Sequence, residues 1–165
     1  MMSGLKIKMA QISDVPLILQ FIRELAEYEK LLHEVVATEE ILRETLFGEK
    51  PVAEVVIGYA EGLPAGFALF FHNFSTFLGR PGIYLEDLYV KPEFRGRGFG
   101  QQLLSYLAKL AKERNCGRLE WWVLDWNEPS IKFYKNLGAV PMDEWTVFRV
   151  TGNALDELAN KNSDD

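Results

Sequence analysis

Tyr84-Leu85-Glu86-Asp87-Leu88-Tyr89-Val90-Lys91-Pro92-Glu93-Phe94-Arg95-Gly96-Arg97-Gly98-Phe99-Gly100 is the stretch on which the fold turns. It reads as a strand ending at Val90, then a turn, then glycines recurring where the chain must enter a helix. Glycine has no Cβ, so consecutive backbone N–H groups can point at one ligand. The same N–H groups open a helix, where the dipole favours an anion. Arg95 and Arg97 add positive charge to a chain of net charge −6. A diphosphate fits this pattern. A Walker A loop would need Gly-Lys-Ser/Thr after the glycines, and those residues are absent. A dinucleotide fingerprint would need G-x-G-x-x-G after the first strand; here G-x-G-x-G follows a meander. Glu120 nonetheless lies near the spacing at which that fold keeps its ribose-binding acid.

Upstream, Leu5 to Ala10 alternate and predict a first strand. Ser13-Asp14 offers a helix cap with Pro16 in the first turn, and Leu17, Phe21, Leu25 and Tyr28 follow at helical spacing. Thr38 caps a shorter helix ending near Gly48. Val52 to Ala60, Ala65 to Phe74 and Ile83 to Val90 predict three meandering strands. Downstream, Leu103, Leu104, Leu107, Leu110 and Ala111 form the apolar stripe of a helix that Gly117 stops. A strand is expected from Leu119 to Leu124, a short helix from Asn127 to Asn136, a last strand from Thr146 to Val150 and a helical turn from Ala154 to Ala159. The order predicts an α/β fold with a mixed sheet and helices on both faces. It also predicts one domain with its core over residues 5–150 and a polar tail at 160–165.

Of the 165 residues, 48% are hydrophobic and 25% charged, enough to fill a globular core. The acidic balance argues against nucleic acid, which needs a basic face, and favours approach of cations. Cys116 is the sole cysteine. It excludes a disulfide within the chain and points to a reducing, cytoplasmic setting. His33 and His72 lack the spacing of metal ligands, so no metal is expected. No apolar run approaches the ~20 residues of a membrane span. Met1-Met2-Ser3-Gly4-Leu5-Lys6 has no apolar core of a signal peptide.

Arg95, Gly98 and Gly100 match Arg/Gln-x-x-Gly-x-Gly/Ala, and the loop resembles the pyrophosphate signature of the GNAT acetyltransferases. Tyr84-Leu85-Glu86-Asp87, Trp126-Asn127-Glu128-Pro129-Ser130 and Phe133-Tyr134 resemble the diamine (spermidine/spermine) N-acetyltransferase branch, as does Arg23 to Glu29. The likeness spans roughly residues 5–150. It implies a GNAT fold, with acetyl-CoA as co-substrate and a small cationic amine as acceptor: a diamine, a polyamine or a lysine-like amino acid. It also implies a homodimer. Acetyl-CoA would lie on Leu88, Tyr89 and Val90, on Arg95, Gly96, Arg97, Gly98, Phe99, Gly100 and Gln101, and on Asn127, Glu128, Pro129 and Ser130. The amine site would be lined by Tyr28, Glu29, Glu86, Asp87, Glu120, Trp121, Trp122 and either Asp143 or Glu144.

The chemistry sets its own demands. An alkylamine of pKa ~10.4 arrives charged and must lose a proton before it attacks. Glu86 and Asp87 can each accept it, but alternation along a strand sends them to opposite faces, so only one is expected in a given cleft. The resemblance favours Glu86 as the base and gives Asp87 a lining role. It assigns Tyr134, a phenol of pKa ~10, to protonating the leaving thiolate. Asn127 is expected to cap the helix that carries Tyr134. A binding module that holds acetyl-CoA without catalysis is the alternative.

Overall fold

A computed structural model describes residues 4–161 of the chain. Residues 162–165 of the predicted tail lie outside that range. The described residues fall into two compact units, divided after Leu124.

The N-terminal unit is built on a five-stranded sheet in the order β1-β2-β3-β4-β5. The strands are β1 (Lys6–Met9), β2 (Glu54–Ala60), β3 (Leu63–Ser75), β4 (Arg80–Val90) and β5 (Leu119–Trp121). The first four pair antiparallel, and β5 pairs parallel to β4. The helices are α1 (Val15–Tyr28), α2 (Glu39–Phe47) and α3 (Phe99–Glu113).

Thr38 caps α2 as expected, its hydroxyl accepting from the Ile41 N–H at 3.2 Å. Asp14 instead caps backwards. Its carboxylate accepts from the Gln11 N–H at 2.8 Å and closes a short 3-10 turn that feeds α1. Along α1 the apolar spacing buries Val15, Ile18, Leu19 and Phe21. They pack with Val55, Ile57, Phe67 and Tyr89 of the sheet. Phe21 stacks on Phe67 with centroids 5.3 Å apart. Residues that alternate with these face the other way. Ala60, Ala65 and Val90 meet Phe94 and Phe99 at the start of α3, so the sheet has a helix layer on each face.

The C-terminal unit holds α4 (Glu128–Asn136) and α5 (Gly152–Ala159). Gly138, at φ 92°, ends α4 in the left-handed region that only glycine adopts freely. The last strand expected over Thr146 to Val150 is not among this unit's elements. The alternating apolar residues are there, but a strand needs a ladder, and among the described residues of the unit no other segment pairs with them. Likewise β5 is laddered only as far as Trp121, short of the expected Leu124.

Candidate active site

At Glu86 the structure departs from simple alternation. Leu69 opposes Asp87 and Phe70 opposes Leu85, so Glu86 is an extra residue in β4, a β-bulge. A bulge bends its strand and resets the alternation. Directly paired residues share a face, so Asp87 faces the α1 side with Leu69, and Leu85 faces the α3 side with Phe70. Glu86 is exposed, and its charge acts on Tyr84, on Asp87 and on Glu29 at the end of α1. The expectation that the two acids part company across the sheet is therefore corrected. The extra residue turns both toward the α1 side, where Glu29 joins them.

The crowding has electrostatic consequences. Partial burial first, then the charges of Glu86 and Glu29, pushes Asp87 up to about 7. Burial, then the charge of Glu86, also raises Glu29. An acid whose folded pKa lies above its unfolded value binds more protons when folded. The stability it contributes is complete below the unfolded pKa near 3.8 and is lost as pH rises through about 7. Asp87→Asn removes this cost. The variant is expected to gain on the order of 1–4 kcal/mol over the parent at pH 8 and nothing at pH 3.5. Urea unfolding at the two pH values checks it. An equal gap at both would show that Asp87 is ionised normally in the folded chain.

The pairing of β4 with β5 stops where the bulge begins. Only Ile83, Tyr84 and Leu85 are laddered to β5, and Leu88, Tyr89 and Val90 pair with β3 alone. Among the described residues of this unit, no strand pairs with their other edge. It is open to an added extended ligand.

Beyond Val90 the glycine loop has the backbone it needs. Gly96 and Gly98 sit at φ 77° and 80°, and Gly98 is the cap residue of α3. A Cβ added at Gly96, Gly98 or Gly100 would meet nothing of the protein within 4 Å, so the glycines face open space. The cradle fits an anion at the helix start. Both arginines are tied into the fold. Arg97 donates to Glu61 at 2.8 Å and lies over Phe99 at 4.9 Å. Arg95 Nε donates to the Val90 carbonyl at 2.9 Å, with its guanidinium over Tyr28 at 5.2 Å and Tyr89 at 5.7 Å. The Tyr89 hydroxyl donates to Glu24 at 2.9 Å; burial and then that carboxylate push its pKa up to about 12. Glu24 and Glu61 were not singled out from the sequence, because partners 65 and 36 residues away leave no local signal.

Glu120 lies opposite Tyr84 on the α1 side. Asn73 donates to it at 3.1 Å, and Arg118 Nε stands 3.4 Å away. Trp121, the last residue of β5, is half-buried, and Trp122, just beyond the strand, is exposed. His72 sits with Arg114 and Glu54 on the α3 side, 3.4 Å from the guanidinium. Among the described residues no group of three or more His, Cys, Asp or Glu is placed to hold a metal.

In the C-terminal unit, Asn127 is buried and its side chain accepts from the Ser130 N–H at 3.4 Å, capping α4. Glu128 and Pro129 occupy the first turn. Tyr134 lies one turn beyond Ser130, its ring 5.5 Å from that of Phe133. Asp143 and Glu144 are exposed in a turn closed by the Trp145 N–H on Met142 O.

Residues 19–139 match the acetyltransferase (GNAT) family. Over 97% of its length the chain is 42% identical to the whole of a thialysine N-epsilon-acetyltransferase from Sus scrofa. It is 33% identical to an L-ornithine N5-acetyltransferase of Arabidopsis thaliana, over 95% of the chain and 89% of that protein. An integron cassette protein from the mobile metagenome of V. cholerae has the same fold, with TM-score 0.80 and 30% identity over 96% of this chain and 99% of that one.

Proposed function

The chain belongs to the acetyltransferase (GNAT) family and transfers an acetyl group to a small amine, and we propose that its acceptor is the side-chain amine of a lysine- or ornithine-like amino acid. The observation that carries this is the bulge at Glu86. It gathers Glu29, Glu86 and Asp87 on one side of the sheet, beside the unladdered edge of Leu88, Tyr89 and Val90. Three acids hold a cation, and the neighbouring open edge is where an extended acyl donor can lie.

In this reading acetyl-CoA supplies the activated acetyl group. The residues of the chain do the rest. Backbone groups of Leu88, Tyr89 and Val90 align the donor, and the loop from Arg95 to Gln101 takes its diphosphate. Asn127, Glu128, Pro129 and Ser130 add contacts from the start of α4. Glu86, exposed at the bulge, receives the ammonium and accepts its proton, directly or through water. Asp87, with its proton affinity near neutral pH, is matched to share that work. Tyr134 returns a proton to the thiolate as it leaves. Tyr28, Glu29, Glu120, Trp121, Trp122 and Glu144 line the acceptor side. The family match runs across both units, which supports one functional domain. The reading includes a cytoplasmic setting and a homodimer, the latter checked by sedimentation velocity.

Thiol release from acetyl-CoA across thialysine, lysine, ornithine, putrescine and spermidine tests the proposal. The amino acids are expected to exceed the diamine and polyamine at least about tenfold in kcat/KM, the yield of one good polar contact. The rate should climb with pH through about 7 and level off above, as Asp87 ionises. A preference for spermidine, or no thiol release with any amine, would overturn it.

A further inference from the structure

The sheet carries a second group of polar side chains beyond the carboxylates, on the same side and further along β4. Tyr84 and Gly82 alternate with Leu85 and so face the α1 side. Glu120 lies there because it opposes Tyr84, and Arg118, two residues earlier, lies there by alternation. Asn73 opposes Gly82 from β3. It reaches across β4 to Glu120, and only the missing side chain of Gly82 allows this, since a Cβ there would lie 2.5 Å from Asn73 Oδ1. The cluster is assembled across three strands.

Its valences are half used. Asn73 and the Arg118 Nε both engage the same oxygen, Glu120 Oε1. Among the described residues, Glu120 Oε2 and the two terminal nitrogens of Arg118 enter no ion pair or hydrogen bond. Both side chains are partly open to solvent, Arg118 at 46% and Glu120 at 34% exposure. The site therefore offers one anionic and one cationic valence side by side, complementary to the ammonium and carboxylate of an α-amino acid. The separation fits as well. At ~3.3 Å per residue along the strand and ~4.8 Å between strands, Glu120 stands about 8 Å from Glu86. The two nitrogens of a lysine-like amino acid, six bonds of ~1.5 Å apart in a zigzag, span roughly the same distance.

We propose that Arg118, held by Glu120 on the α1 side of the sheet, reads the α-carboxylate of the amino-acid acceptor, while Glu120, oriented by Asn73, takes its α-ammonium. Arg118 is then a specificity-determining residue, which separates amino acids from diamines of equal length. The inference rests on the amino-acid reading given above.

The test compares thialysine with the diamine left when thialysine loses its carboxylate, in the wild-type chain, in Arg118→Gln and in Arg118→Lys. Arg118→Gln is expected to lower kcat/KM for thialysine about 10–100-fold, the value of a charge-assisted contact. For the diamine it changes less than about threefold, which also shows that the variant is folded. Arg118→Lys keeps the charge but not the planar fork and recovers part of the loss. If the wild-type enzyme takes thialysine and Arg118→Gln weakens both substrates alike, or neither, the acceptor stands and the subsite is wrong. If the wild-type enzyme ignores thialysine and takes the diamine, the proposed acceptor is wrong and the subsite falls with it.

Discussion

Replacing Tyr134 with phenylalanine is expected to lower kcat by about 10²–10⁴-fold while leaving acetyl-CoA affinity within a few-fold of the parent. That range is what a positioned acid or base contributes to a proton transfer. The substitution is narrow. It removes a hydroxyl and keeps a ring of the same shape, so the contact with Phe133, centroids 5.5 Å apart, survives. The cap of α4 at Asn127 lies two turns away and is untouched. Single-turnover thiol release gives the chemical step, and isothermal titration with acetyl-CoA gives the affinity. A kcat within fivefold of the parent would remove Tyr134 from the mechanism. Loss of rate and affinity together would make it a packing residue.

Gly98→Val is expected to weaken acetyl-CoA binding by 10–100-fold or more. Gly98 caps α3 at φ 80°, ψ 13°. A left-handed backbone costs an L-residue roughly 1–2 kcal/mol, and a β-branched residue fits it worst. No protein atom lies within 4 Å of the added Cβ, so nothing clashes in the free chain. The penalty falls on the backbone, whose relaxation turns N–H groups away from the diphosphate. Each lost hydrogen bond to a charged group is worth about 1.5–3 kcal/mol. Gly98→Asn is the control, because asparagine visits the left-handed region more readily, and it should lose less. Titration with CoA reads both variants. A valine variant that binds as tightly as the parent would show that the bend after Phe94 is not the diphosphate cradle.

Much of this was legible locally. The caps at Thr38 and Asn127 and the apolar spacing of α1 and α3 depend on neighbours within one or two turns, so sequence carries them fully. The stop expected at Gly117 falls instead at Asn115, left-handed at φ 61°, while Gly117 is held by its N–H on the Pro81 carbonyl and lies against Leu78, far away in the chain. The strand over Thr146 to Val150 fared otherwise. Alternation gives a segment the means to pair, but pairing itself is a contact with another segment, and spacing cannot name the partner.

The loop after Val90 was fixed by residue chemistry alone, because only glycine takes φ near +80° at no cost, and Gly96 and Gly98 stand where the chain needs it. The arrangement of the acids was settled by the folded sheet. One unpaired residue, Glu86, resets the phase of β4, and such a bulge is defined by the register against β3 rather than by β4's own letters. Glu29 thereby meets Glu86 and Asp87, and Asn73 reaches Glu120 across Gly82, through contacts between positions distant in the chain.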